Sequence, residues 1–496
     1  MLTQHFPALL VVVPLIAAPL IVLVRRSLPS WIIALLATAA TFGIALSLLD
    51  RTLAEGTLSY AMGSWAPPLG IEYRIDAAGA FVAVIVAAMG LIVMPYSRVG
   101  IAAEVRNEEH YLYYALMMLC LAGLLGILVT GDAFNVFVFL EVSSLATYVL
   151  IAMGRDRRAL MAAYQYLLMG TIGATLYVVG VGLLYLETGT LNLADMATRL
   201  PMASDSRAVL AALAFITVGI SLKIALFPLH LWLPNAYAYA PSPVSAFLAA
   251  TATKVSIYVL MRYFFSIFGE SAVFDARATG AILLGLSLAA MFIPAIVAIF
   301  QHDMKRLLAY SSVSQIGYIT LGISMDSVDG LMASAMHLFN HALTKGGLFL
   351  VLGGVVLRCR GASFDRLAGL GQTMPVAAFA MVVGGLSLIG VPGTAGFISK
   401  WYLVSAAIHL GQWWLVGAVL ASSLLAVIYV WRFVEVAYFR APPADHPPPG
   451  EAPLSMFVPA LLMIGGCVYF GLDATWSSEV ATRVAEVLMN SRSGGQ

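Results

Sequence analysis

Runs of about twenty apolar residues recur from one end of this sequence to the other. The first, FPALLVVVPLIAAPLIVLV (6–24), sets the pattern. A helix of that length crosses the hydrocarbon core of a bilayer. Composition agrees: 61% of the 496 residues are hydrophobic and 10% are charged, where a soluble domain carries roughly a quarter charged residues. Barrel strands alternate apolar and polar positions, whereas these runs are continuous, so a β-barrel is excluded. The sequence reads as an all-α polytopic membrane protein. A net charge of +1 and the lack of a basic patch give no reason to expect nucleic acid as a partner. Cys120, Cys359 and Cys467 are too scattered for a disulfide framework or a ligand set, and no cofactor or resident metal is expected. The first run has neither a basic leader nor a clear cleavage site, so it is read as the first span and not as a removable signal.

Fourteen spans fit the pattern, near 6–24, 31–49, 76–97, 110–130, 133–153, 160–186, 208–227, 241–262, 278–300, 306–325, 330–357, 374–409, 413–439 and 454–472. We refer to them as helices one to fourteen. Two resist a regular helix. Helix seven runs into FPLHLWLPNAYAYAPSP, and helix twelve holds GVPGTAGF (390–397) at its middle. The segment APPADHPPPGEAP (441–453) reads as an extended aqueous linker. Loop cations set the orientation. Arg25, Arg26, Arg98, Arg106, Arg155, Arg157, Arg158, Lys305, Arg306, Arg358, Arg360, Arg366 and Arg440 fall on one face, with Arg432 two turns inside it. Fewer fall on the other: Arg51, Arg74, Arg199, Arg207, Arg262, Arg277, Arg483 and Arg492. The first face is expected to be cytoplasmic, with both termini outside. The chain is expected to sit in the cell (inner) membrane.

Lys223, Lys254, Lys345 and Lys400 remain, all within spans. A charge at mid-bilayer costs about 3 kcal/mol on insertion scales, so these amines are expected to face protein or water, or to snorkel where a helix end is misplaced. No arginine is placed so deep. A lysine removed from water surrenders its proton far more readily than an arginine, so the choice points to groups that change charge. Glu141, in FNVFVFLEVSSLATYVLIA, is the only carboxylate well inside the first half of the fold. It reads either as a structural hydrogen-bonding group or as the partner of Lys223, a pair whose changing separation switches a proton. On helix eleven, His337, His341 and Lys345 lie at i, i+4 and i+8 and so share a face. Three readings stand beside one another: a zinc pair lacking an evident third ligand, histidines bonded to backbone carbonyls, and a proton-relay face. Arg432 and Glu435, at i, i+3, are expected to form a structural ion pair.

Lys223 and Lys400 are separated by about five spans, an odd number that reverses orientation. Helices four to eight and nine to thirteen are therefore expected to be two inverted repeats, each with one broken helix, a pattern that points to a transport site at mid-membrane. The expected units are 1–109, 110–262, 278–440 and 441–496. Broken backbone inside a membrane is tolerated only where protein or water satisfies it. Pro228, His230, Pro234, Pro392 and Gly393 are accordingly expected to border hydrated cavities beside Lys223 and Lys400. In helix ten, SSVSQIGYIT offers serine and glutamine at the place corresponding to Glu141.

Four segments carry a family resemblance: GDAFNVFVFLEVSSLATYVLI (131–151), SLKIALFPLHLWLPNAYAYAPSPVSAFLAATATKVSIYVL (221–260), HLFNHALTKGGLFL (337–350) and GVPGTAGFISKWYL (390–403). Their order and spacing resemble the antiporter-like membrane subunits of respiratory complex I, membrane-bound hydrogenases and Mrp-type Na+/H+ antiporters, with wording most similar to the Mrp D subunit. The resemblance covers about residues 5 to 475. It implies a fourteen-helix bundle with helices seven and twelve broken. It also implies a Glu141–Lys223 pair whose members modulate one another, and a proton path through Lys254, the His337–His341–Lys345 face and Lys400. Partner membrane subunits and exchange of protons for Na+ or K+ follow from it too. The long lateral helix of the largest complex I relative is not expected. No cysteine cluster or dinucleotide glycine fingerprint suggests a catalytic centre in this chain. A redox-driven pump subunit and an ordinary solute carrier or membrane enzyme are the competing classes.

Overall fold

A computed structural model describes residues 2–203, 206–269, 276–442 and 450–490. Most of the proline-rich linker, the side chain of Arg277 and all of Arg492 lie outside the described residues.

The chain is a polytopic helical bundle. Helices one to six are Phe6–Val24, Ser27–Glu55, Ala77–Glu104, His110–Val129, Ala133–Ala152 and Arg157–Thr188. Helix seven comes in two pieces, Arg207–Ile224 and Leu233–Tyr239. Helix eight follows as Ser242–Ala250 and Ala252–Met261. Helices nine, ten and eleven are Ala276–Ile299, Met304–Ser324 and Val328–Cys359. Helix twelve is split into Pro375–Ile389 and Ala395–His409, and Trp413–Val434 and Leu454–Leu472 are the last two spans. Among the described residues, twelve helices are long and apolar enough to cross a membrane. Helices ten and twelve are not in that set for physical reasons. Helix ten buries Ser311, Ser312, Ser314 and Gln315 among its apolar groups, which lowers its hydropathy, and neither half of helix twelve is long enough alone.

Besides a few short turns of helix, the described residues form three elements outside the fourteen expected spans. An antiparallel hairpin pairs Leu58–Ala61 with Glu72–Ile75. A short helix, Leu193–Arg199, follows helix six. An amphipathic helix, Thr475–Asn490, buries Val480, Val484 and Leu488 and packs on helices three and eleven.

One construction occurs twice. Asp132 accepts a hydrogen bond from Asn135 N at 2.8 Å and caps helix five. Backbone bonds Ala133 N to Leu191 O and Leu193 N to Gly131 O tie that cap to the chain leaving helix six. Asp303 likewise accepts from Arg306 N at 3.1 Å and caps helix ten. Met304 N to Ala362 O and Phe364 N to His302 O tie it to the chain leaving helix eleven. The two sets keep one constant offset in sequence. Helices six and eleven both have 32 residues, and helices eight and thirteen both finish in a π-turn, at Arg262–Ile267 and Glu435–Phe439.

The breaks have local causes. Helix seven stops where Ala225 takes φ +61°, a left-handed conformation that ends an α-helix. Its second piece starts with proline in the first turn, Pro234, where the missing N–H costs nothing. Helix twelve stops at Gly390, φ +89°. It restarts beside Gly396, where an added Cβ would collide with the Ser387 carbonyl oxygen. The two halves of helix twelve therefore touch backbone to backbone.

The expected Arg432–Glu435 pair is not formed. The Arg432 guanidinium donates to the carbonyls of Ile299 and Gln301 and lies over the Phe364 ring, while Glu435 pairs with Arg440 at 2.9 Å. The end of helix nine presents carbonyls that have no partner of their own, and an arginine fork satisfies two at once.

The backbone contact at Gly396 leaves no room for a methyl group. Gly396→Ala should destabilise the protein by about 1–3 kcal/mol, read as a lowered melting midpoint in detergent. Gly465→Ala, which faces open space, should leave the midpoint within error.

Candidate functional site

The structure brings Glu141 and Lys223 together. Lys223 sits in the last turn before the helix-seven break and is 5% exposed. Its Nζ lies 3.8 Å from Glu141 Oε1 and donates to Ser144 Oγ at 2.7 Å. At 3.8 Å the carboxylate is an electrostatic neighbour of the amine, while the hydroxyl is its hydrogen-bond acceptor. Glu141 Oε1 is buried with no hydrogen-bond partner, as is Tyr148 Oη further along helix five. The Glu141 side chain is a quarter exposed, so it is not sealed within the bundle even though Oε1 is covered.

The carbonyl of Leu222, adjacent to Lys223, has lost its place in the helix. The indole N–H of Trp232 donates to it at 2.9 Å across the break. The Trp232 ring stacks on Tyr166 at 3.9 Å, and Tyr166 meets Tyr148 edge-on at 4.8 Å. Trp232 thus ties the second piece of helix seven both to the first piece and to helices five and six.

Lys254 also lies at a break. Thr251 has φ −122° and ψ −62°, which interrupts helix eight, and the Lys254 ammonium donates to the carbonyl of Ala249 released there. The lysine is fully buried. The face of helix eleven carries the next groups. Lys345 donates to Leu308 O at 2.9 Å and to Ser311 Oγ on helix ten. The His341 ring stacks on His337 at 6.2 Å, and both its nitrogens are buried without a partner among the described residues. His337 lies 2.8 Å from Ser399 Oγ through Nδ1 and 3.0 Å from Gln315 Oε1 through Nε2. Parallel stacked rings do not converge on one point, so this pair is not arranged to share a metal ion. Lys254, Lys345 and His337 all fall within electrostatic reach of His341, and Lys254 and Lys400 within that of His337.

Lys400 completes the line at the helix-twelve break. Its Nζ donates to Leu388 O at 2.9 Å, Ile389 O at 3.0 Å and Ser423 Oγ at 3.0 Å, and sits 4.4 Å from the Tyr318 ring centre. All four lysines therefore donate hydrogen bonds to carbonyls or hydroxyls, and among the described residues only Lys223 has a carboxylate within ion-pair distance. Helix breaks supply the carbonyls for two of them, Lys254 and Lys400.

The residues expected to border cavities at the breaks divide. His230 is buried, with Nδ1 unpartnered and its ring stacked on Phe227 at 5.3 Å. Pro234 is buried in the first turn of a helix. Pro228 and Pro392 lie exposed on the outer surface, and Gly393 is half-buried with φ +85°. These prolines and this glycine shape the breaks but present no polar side chain to the lysines. Ser311 and Tyr318 lie in the SSVSQIGYIT segment noted in helix ten, but Ser144, Trp232, Ser399 and Ser423, which also hold the amines and rings in place, carry little mark in the sequence. Their only signal is position: Ser144 lies three residues after Glu141, and Ser399 precedes Lys400.

Residues 130–426 match a family described as NADH:quinone oxidoreductase/Mrp antiporter, transmembrane. The chain belongs to this family. Within the NADH:quinone oxidoreductase/Mrp antiporter family it is 43% identical over 489 residues to NADH-quinone oxidoreductase subunit N of Desulforudis audaxviator, covering 95% of this chain and 96% of that relative. It is 27% identical over 490 residues to the D subunit of the Na(+)/H(+) antiporter of Bacillus subtilis, covering 98% of each. In the solved Mrp complex from a Dietzia species, one chain superposes with a TM-score of 0.90 at 25% identity, covering 99% of this chain and 98% of that one.

Removing the indole donor at the helix-seven break leaves the Leu222 carbonyl with only the long 3.3 Å bond from Ala225 N. Trp232→Phe keeps the ring stack but should cost about 1 kcal/mol, the net worth of one hydrogen bond. The check is the melting midpoint compared with Tyr166→Phe, which should change it little.

Proposed function

We propose that this chain is the proton-translocating subunit of a multisubunit monovalent cation (Na+ or K+)/H+ antiporter. One observation carries the reading. Four buried amines on four helices are each held by carbonyls or hydroxyls, with a single carboxylate, Glu141, at charge-pairing distance from one of them. An amine bonded to neutral acceptors keeps its position whether or not it carries the extra proton, whereas a tight salt bridge would fix it in the charged state. Lys223, Lys254, His341, His337, Lys345 and Lys400 then pass protons between neighbours, and Glu141 biases the first of them.

The units 110–262 and 278–440 are read as two half-channels of inverted topology, supported by the twice-built caps before helices five and ten. The bias of the loop cations supports a reading with both termini outside the cell. Other membrane subunits are the expected partners, because the relatives named above are subunits and the Glu141 side chain is not sealed within the bundle.

A second reading has a specific observation in its favour. The 43% identical relative is named as a subunit of NADH-quinone oxidoreductase, so the same proton-moving chain can equally be driven by a redox module. The composition of the complex that co-purifies with this chain separates the two: small antiporter subunits for the first, iron–sulfur proteins for the second.

In everted vesicles holding the intact complex, Glu141→Ala and Lys223→Ala should each abolish proton-coupled transport while assembly persists. Normal exchange in both variants would defeat the assignment. Lys400→Arg should be inactive although it keeps the charge, because arginine does not release its proton at accessible pH. Wild-type transport in that variant would remove the titration argument.

A further inference from the structure

At the end of the bundle where helices three, seven and eleven finish and helices eight and ten begin, the described residues enclose an open cavity of about 380 Å³. Its lining includes none of the buried amines, and the proposed proton path does not use it. Five cations line it: Arg155, Arg158, Lys305, Arg306 and Arg360. So do three carboxylates, each already engaged. Asp156 holds Arg158 through both oxygens, Glu104 accepts from the backbone N–H and hydroxyl of Ser242, and Asp303 caps helix ten.

The other four cations have no carboxylate within ion-pair distance among the described residues. Arg306 donates to the neutral side chains of Gln301 and Asn235 at 3.0 and 2.8 Å, and Arg155 to Val105 O at 3.2 Å. Lys305 is 7% exposed, and its side chain makes one hydrogen bond among the described residues, to Ala240 O, long at 3.4 Å. A buried ammonium lining a polar cavity, weakly held and without a carboxylate in ion-pair distance among the described residues, is an uncompensated cost unless an anion joins it.

We propose that this cavity is an anion site for a phosphate group. Guanidinium forks and an ammonium arranged round one space match the several oxygens of a phosphate. The position favours a lipid as its carrier. The cavity opens where helices end, the level at which headgroups lie. Its wall also includes Ala103, Pro241 and Val356, apolar surface against which the start of an acyl chain can rest. Basic pockets between helix ends are a recurring way of holding acidic headgroups.

The test uses the purified complex containing this chain. It is equilibrated in vesicles of four parts phosphatidylcholine to one part phosphatidylglycerol, extracted in neutral detergent, and its retained lipids are counted by native mass spectrometry. Inorganic phosphate is titrated calorimetrically in parallel. Phosphatidylglycerol should be retained by the wild type, and retention should fall about tenfold in Lys305→Gln and in Arg360→Gln, the factor for one lost charge-assisted hydrogen bond. Arg25→Gln with Arg26→Gln, at the same end but outside the cavity, should retain it. If Lys305→Gln does not assemble, Arg360→Gln carries the test, because its side chain is exposed and outside the core. Phosphate binding that is lost in Arg360→Gln, without lipid retention, supports the same site with free phosphate as the source. The proposal is overturned if neither probe binds, the outcome expected if a carboxylate from a neighbouring protein fills the cavity, or if the variants match the wild type.

Discussion

The fold turns on the cost of a backbone carbonyl without a donor in a low-dielectric interior. An unbroken helix avoids that cost, and most of the spans do so. Helices seven, eight and twelve do not, and each break leaves acceptors that something must satisfy. At helix seven the donor is an indole from across the gap. At helices eight and twelve it is a lysine ammonium: Lys254 on the Ala249 carbonyl, Lys400 on those of Leu388 and Ile389. At helices eight and twelve the break and the buried amine thus explain each other. Lys254 and Lys400 are tolerated at mid-membrane because a broken helix offers them oxygens, and each helix can stay broken because its lysine is there.

This mutual arrangement separates two tasks. Neutral acceptors fix where each amine sits, while the electrostatic neighbours that influence its charge lie further off. Glu141 stands 3.8 Å from Lys223 while Ser144 takes the hydrogen bond. His341, between lysines on either side, makes no protein hydrogen bond with either ring nitrogen among the described residues. Position and charge state are therefore set by different groups, which allows the second to vary while the first does not.

Much of this is legible in the sequence, for identifiable reasons. A charged residue inside a long apolar run has few structural explanations, so Glu141 and the four lysines stand out. Proline and glycine punctuate strongly, so the breaks in helices seven and twelve are visible. The break at Thr251 is not, because ATATK holds neither proline nor glycine and nothing local marks the interruption. The partner of Arg432 is not the expected one because the nearest carboxylate in sequence competes poorly with free carbonyls at the end of helix nine. Pro228 and Pro392 flank functional residues, which suggests an inward position, yet a proline that ends a helix has no need to face what the helix carries. The hairpin at Leu58–Ile75 and the amphipathic helix Thr475–Asn490 are hidden from a search tuned to apolar runs of spanning length.

Unlike helices seven, eight and twelve, helix eleven is continuous over all 32 of its residues. His337, His341 and Lys345 therefore ride on a stiff rod, stepped about 6 Å apart by helical rise. Their separations cannot stretch or shorten during a working cycle. Any gating along this row has to come from ring rotation, from solvent slipping between the rings, or from the adjoining interrupted segments shifting against a fixed ruler.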